Sequence, residues 1–230
     1  MALPTNAHIS THPCVLAKLS QLRSANTPAR DVKTLVHEIA TLIGSEALAA
    51  TLTTTVSGSD KSPLGESFDV YTTSPTKISL VPILRSGLAM TDALSALLPT
   101  PVPIHHLGMY RERTTLQPVE YYNNLPYHGT STTGHAAADA GPSELAIVLD
   151  PVIATGATAH AAVETLREWG VKKVVVLSVL GSEEGVRRVA EAWEGVEVWV
   201  GGVDPGVNER GMIVPGLGDV GDRLFLTVGK

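Results

Sequence analysis

Cysteine is nearly missing from this chain. Cys14 is the only one in 230 residues, so an internal disulfide is excluded and no cysteine-based metal cluster can form. That usage suits a reducing cytosol. Positive charge is scarce as well. Seventeen Lys and Arg against 23 Asp and Glu leave a net charge of −6 and a pI near 5.7. No basic field is available to neutralise a nucleic-acid backbone, which excludes general nucleic-acid binding while leaving room for local capture of a small anion. Long apolar runs are also lacking. The longest, residues 174–180, has the length of a strand and follows Lys172 and Lys173, so no membrane-spanning segment is expected. The opening MALPTNAHISTHP has neither the basic nor the apolar region of a signal peptide, and no internal repeat is visible. A cytoplasmic protein is expected.

What is present suffices for a core. The hydrophobic share is 43%, and the length suits a single α/β domain over residues 1–230. Pro13 can open a helix, with Val15, Leu16, Leu19 and Leu22 at helical spacing. A second helix begins near Pro28 and places Val32, Leu35, Val36, Ile39, Leu42 and Ile43 on one face. A third, short helix is expected over 46–52, and a polar Gly/Ser-rich loop over 53–66. From Ser67 onward, strands are expected at 68–72, 78–83, 102–110, 145–150, 174–180 and 196–200. Helices at 87–98, 158–169 and 183–193 alternate with them. Such alternation predicts a mostly parallel twisted sheet flanked by helices, with ligands at the carboxyl ends of the strands. Residues 110–126 read as an extended arm, and 127–142 as a mobile surface excursion.

Residues 144–160, ELAIVLDPVIATGATAH, carry the sharpest signal. An apolar strand ends in Asp150. A small-residue turn, Thr155-Gly156-Ala157-Thr158, then opens a helix whose first N–H groups are free. Such a turn binds phosphate well, and an acid at the strand's carboxyl end can hold the hydroxyls of an attached sugar. The pattern therefore suggests a site for a phosphorylated ribose. The same residues also read as an ordinary strand–turn–helix unit with Asp and Thr as caps.

Four strings along the chain favour the first reading. VPILRSGLAM (81–90), GMYRERTTLQPVEYYNNLP (108–126), DPVIATGAT (150–158) and MIVPGLGDVGDRLF (212–225) occur in an order and spacing that resemble the uracil phosphoribosyltransferases. THPCVLAKLSQLR resembles that family's opening helix. The resemblance implies a type I phosphoribosyltransferase fold, with N-terminal helices and loop over 1–66, an arm with a flexible insertion over 111–143, and a base-binding hood over 201–230. It implies transfer of 5-phosphoribose from 5-phosphoribosyl 1-diphosphate (PRPP) to uracil, giving UMP and diphosphate in pyrimidine salvage. Mg2+ is expected to arrive through PRPP and water, without direct protein ligands. A homodimer or higher homo-oligomer is implied, and GTP is a candidate regulator. Alternatives are transfer to a different nucleobase and a non-catalytic, nucleotide-sensing use of the fold.

The resemblance also implies residue roles. Asp150, Pro151, Val152, Ile153, Ala154, Thr155, Gly156, Ala157 and Thr158 would line the PRPP site, with Asp150 on the ribose hydroxyls and 155–158 around the 5′-phosphate. Arg85 and Arg111 would stabilise the leaving diphosphate, for which a guanidinium fork is suited. Each also reads as a surface arginine paired with a carboxylate. Ile213 and Gly218 would offer carbonyls, and Val220 its N–H, to uracil. Asp219 would face PRPP through water or Mg2+, or else simply cap a turn. GLGDVG at 216–221 matches the dinucleotide fingerprint literally, but that motif needs a helix after it and an acid further on, whereas a strand-like RLFLTV follows. His105 and His106 are adjacent on a strand and point apart, so they read as packing or surface residues. His160 reads as a helix-surface residue. Tyr121 and Tyr122 read equally as arm packing and as a cover for the site.

The chain departs from the family pattern at Ala157 (usually glycine), Ser86 and Val220 (usually alanine), Met212 (usually tyrosine) and Arg113 (commonly acidic). Were position 157 to need positive φ, its alanine would cost about 1 kcal/mol. The methyls of Val220 are expected to narrow the base pocket.

Overall fold

The computed structural model describes residues 2–112, 118–126 and 141–227. In chain order the elements are β1 (Ala7–Ile9), α1 (Pro13–Arg23), α2 (Ala29–Thr51), β2 (Thr53–Lys61), β3 (Ser67–Ser74), β4 (Ile78–Leu84) and α3 (Leu88–Leu97). Then follow β5 (Leu107–Arg111), β6 (Pro118–Asn123), β7 (Leu145–Leu149), β8 (Val152–Ile153), α4 (Ala157–Trp169), β9 (Lys173–Ser178) and β10 (Leu180–Ser182). The chain closes with α5 (Glu183–Ala190), β11 (Val196–Val200), β12 (Val203–Asp204), β13 (Gly206–Val207), β14 (Ile213–Val214) and α6 (Val220–Phe225).

The main sheet has the order β1-β11-β9-β7-β4-β5-β6. Its pairings are parallel except that of β5 with β6. Successive residues of the central strands feed opposite layers, as the pleat requires. On β7, Leu145, Ile147 and Leu149 pack with α1, α2 and α3, while Ala146 and Val148 pack with α4 and α5. Both layers bury apolar side chains, so a central strand such as LAIVL reads as a continuous apolar run rather than an alternating one. A second, three-stranded parallel sheet, β12-β10-β8, lies along the carboxyl edge of the first. It matters for function because it joins the segment after β7 to the C-terminal hood.

The expected helices and parallel strands form, with several corrections. The short helix expected over 46–52 is the last part of α2. EALAAT is rich in strong helix formers, and Ala47 extends the buried face. The loop expected at 53–66 begins with β2, which pairs with β3 in an exposed antiparallel hairpin. With no buried face, β2 has no hydrophobic period to betray it. The strand expected at 102–110 starts only at Leu107. Before it, Pro101 and Pro103 cannot donate to a ladder, and Ile104 makes a lone bridge to Leu80. Helix α5 stops at Ala190 instead of 193. The strand expected at 174–180 divides at Val179 into β9 and β10. The segment taken as strand-like after GLGDVG is the end of helix α6 followed by a left-handed turn at Leu226. That helix has six residues, too short for a dinucleotide βαβ unit. Residues 127–140 of the expected excursion, and Arg113, lie outside the described residues.

Candidate active site

Strand β7 delivers Asp150 to the carboxyl edge of the sheet, where it is 8% exposed. Burial pushes its carboxyl up to about 7, against the opposing pull of the Val152 N–H, which donates to it. Its backbone N–H donates to Leu177 O at 3.2 Å. Pro151 O accepts from Val179 N and Leu180 N, at 3.0 and 3.1 Å, which fixes the turn that aims Asp150. Val152 and Ile153 then pair with Leu180 and Gly181.

The turn into α4 passes through Gly156 at φ 74°. A Cβ there would stand 2.6 Å from Gly185 O, so both the dihedral and the close approach call for glycine. Ala157 is the first residue of α4. The positive φ belongs to position 156, so alanine at 157 carries no conformational penalty. The N–H groups at the start of α4 have no acceptor within the helix, and Thr155, Gly156, Ala157 and Thr158 line a cavity. The loop is buttressed from behind. Ser182 Oγ donates to Ala154 O at 2.6 Å and accepts from Gly185 N at 2.9 Å, capping α5.

The cavity has a volume of about 260 Å3. Asp150, Val152, Ile153, Ala154 and residues 155–158 line it together with Met212, Ile213, Leu217, Gly218, Asp219 and Val220, and Ser86 and Tyr110 also contribute. Segments about 60 residues apart in sequence thus share one cleft. Pro151 is buried and supports the wall without lining it. Val220 is 7% exposed and joins the apolar cluster of α2 and α3, so much of its side chain is absorbed by the core. Asp219 is the N-cap of α6, its Oδ1 accepting from Asp222 N at 3.0 Å. It caps a turn and lines the cavity at once.

Arg85 stands apart from this lining. Arg85 follows β4 across a cis Leu84–Arg85 peptide. It is exposed, and its guanidinium lies 5.5 Å over the Phe225 ring. Arg111 ends β5 opposite Pro118; its side chain lies outside the described residues. His105 packs edge-on to Trp169 at 5.2 Å, with its pKa lowered by burial and then by His106. His160 pairs with Glu164 along α4 at 3.5 Å. Tyr121 and Tyr122 are exposed on β6.

Sequence reasoning missed Ser182, Arg23, Asp204 and Arg223. Ser182 carried a usable signal, a capping residue ahead of Glu183 and Glu184. The three charged residues had none, because their partners are remote in sequence.

Comparison with known proteins identifies the family. The sequence profile of the uracil phosphoribosyltransferases matches residues 9–227. The uracil phosphoribosyltransferase of Roseiflexus castenholzii is 41% identical over 226 residues, covering 95% of this chain and 97% of the relative. That of Desulfitobacterium hafniense is 37% identical over 220 residues, covering 96% and 98%. The solved structure of the AQ2163 protein from Aquifex aeolicus superposes with a TM-score of 0.82 at 28% identity, covering 96% of this chain and 98% of that one. With a profile match running almost end to end and full-length relatives near 40% identity, this chain belongs to the uracil phosphoribosyltransferase family.

Proposed function

We propose that the protein transfers the 5-phosphoribosyl group of PRPP to uracil, giving UMP and diphosphate. One observation carries the reading. A single cleft is lined by an acid, a helix N-terminus and a glycine-rich backbone loop. It can therefore hold a sugar phosphate against a flat, amide-like ring.

The reading assigns the following roles. The N–H groups at 155–158 receive the 5′-phosphate, helped by the α4 dipole. Asp150 accepts hydrogen bonds from the ribose hydroxyls and holds the sugar still. Uracil N1 bonds to the anomeric carbon as its bond to the diphosphate oxygen breaks, and the N1 proton is released. Positive charge develops on the sugar and negative charge on the leaving group. Arg85 and Arg111, from the ends of β4 and β5, meet that leaving charge. The Ile213 and Gly218 carbonyls and the Val220 N–H read the uracil edge. Mg2+ fits the chemistry of the cleft, because Asp150 and Asp219 are hard oxygen donors near the expected diphosphate. It would neutralise the diphosphate, with the carboxylates acting through water.

No described helix is long and apolar enough to cross a membrane, and a cytoplasmic location accords with the lone exposed Cys14. A homo-oligomer is supported by the β2–β3 hairpin, which holds out Val56, Phe68 and Tyr71. The test is a panel of nucleobases with PRPP and Mg2+, following diphosphate release. Uracil should react. Turnover of another base alone, or binding without turnover, would overturn the proposal.

A further inference from the structure

Two arginines hold successive carbonyls of the loop that faces the nucleobase. Arg23, the last residue of α1, donates from Nη1 to Gly216 O at 2.8 Å and to Asp204 Oδ2 at 2.7 Å. Its Nη2 donates to Asp204 Oδ1 at 2.7 Å. Gly216 N donates to that same Oδ2 at 2.9 Å. Both polar groups of Gly216 are therefore held by one ion pair. Arg223, on α6, donates from Nη1 to Leu217 O and to Leu22 O, each at 2.6 Å, and from Nη2 to Ser24 O at 2.8 Å. The next carbonyl along the chain is that of Gly218, which lines the cavity.

The loop needs this holding. Gly216 sits at φ 62°, and a Cβ on it would fall 2.1 Å from Ile213 O. The chain folds back on itself here, which brings Ile213 and Gly218 to the same cleft. Glycines leave such a loop soft unless something outside fixes it. Hydrogen bonds to a flat ring discriminate only when their groups are held to within about 0.5 Å. The Arg23–Asp204 pair is suited to that task because it is bidentate and largely shielded, with Asp204's side chain 7% exposed. Burial works against the Asp204 charge, but the Arg23 fork and the Gly216 N–H outweigh it, and its pKa lies below the ordinary value. Asp204 is itself anchored, since it pairs with Ser182 across β10 and β12, and Ser182 holds Ala154 of the phosphate turn. One framework thus ties the sugar-phosphate wall to the nucleobase wall.

We infer that Arg23, Asp204 and Arg223 are positioning residues for the nucleobase: they set the spacing of Ile213 O, Gly218 O and Val220 N–H without lining the cleft themselves. The inference rests on the nucleobase reading of that loop. It assigns base selectivity to a contact between the first helix and the hood, two regions at opposite ends of the chain.

Arg23→Lys in the full chain tests it, since lysine keeps the charge and loses the fork. The KM for uracil should rise about tenfold or more while the KM for PRPP stays within about twofold, as expected when only acceptor placement is disturbed. Hydrogen exchange at amides 217–220 should accelerate. A uracil KM within about twofold of wild type, or both KM values rising together, would overturn the assignment, because a merely structural role predicts the latter. If the wild type turns over no uracil at all, the reading of the loop fails instead. Exchange at 217–220 then judges the clamp separately, with unchanged protection in Arg23→Lys sinking it. Should Arg23→Lys fold poorly, Arg223→Lys gives the same readouts, from Leu217 rather than Gly216.

Discussion

The guanidinium of Arg85 lies 5.5 Å over the ring of Phe225, joining the loop after β4 to the last residue of α6. On the proposed reading, this contact steadies an exposed side chain that meets the leaving diphosphate. Phe225→Ala should release it. An exposed cation–π contact is worth roughly 0.5–1 kcal/mol, so the KM for PRPP should rise about two- to fivefold. Steady-state kinetics with PRPP and uracil varied separately would check this. An unchanged or lower PRPP KM would show that the ring does not pre-organise Arg85.

Asp150 should make PRPP binding depend on pH. Its carboxyl is pushed up to about 7 by burial, and only the ionised form accepts both ribose hydroxyls. Affinity for PRPP should therefore rise as pH increases toward 7 and level off above it. The stability of the free protein should move the other way. The folded pKa is raised, so the contribution is fully present below the unfolded value near 4, and it is lost as pH rises through 7. Asp150→Asn removes both effects. Its Tm should match or exceed that of the wild type at pH 8, while kcat/KM falls at least about a hundredfold. Activity retained within about threefold would exclude the ribose role.

Gly156 and Ala157 should behave in opposite ways. Gly156→Ala forces a methyl group to φ 74° and to within 2.6 Å of Gly185 O. It should cost about 1–3 kcal/mol and weaken PRPP binding. Ala157→Gly meets no such demand and should lose no more than about 1 kcal/mol of helix stability. Urea denaturation midpoints of the two variants would decide the matter. Equal effects would contradict the assignment of the strained position.

Cytosine should be rejected. It presents an amine where uracil presents a carbonyl, and an unpaired buried group costs about 1–3 kcal/mol, or roughly five- to 150-fold in kcat/KM. Competition between the two bases for PRPP would measure the ratio. Parity would mean that the Ile213, Gly218 and Val220 backbone groups do not read that edge.

Several features were legible before any coordinates. The runs at 78–83 and 145–149 are buried on both faces, and burial on both faces leaves a near-continuous apolar string, whereas 196–200 alternates buried with half-buried residues. The run from Asp150 to Thr158 was legible because an acid, a glycine and a helix start are adjacent along the chain. The exposed strand β2 was hidden, since neither of its faces is buried and so no hydrophobic period is imposed on it. The strained position in the phosphate turn was also ambiguous. The family pattern, with glycine usual at 157, left open a positive φ there, whereas the backbone places the left-handed residue at 156.

Local patterns along the chain were enough to specify the parallel sheet and the strand–turn–helix unit at 150–158, and the resemblance of four strings pointed to the family. Folding alone decided that Arg23 would meet Asp204 and Gly216, across separations of 181 and 193 residues, and that Arg85 would rest on Phe225. The physical reason is range. Periodicity, caps and turns record interactions among near neighbours, whereas an ion pair or a ring contact between distant segments leaves no pattern in either one until the sheet has brought them together.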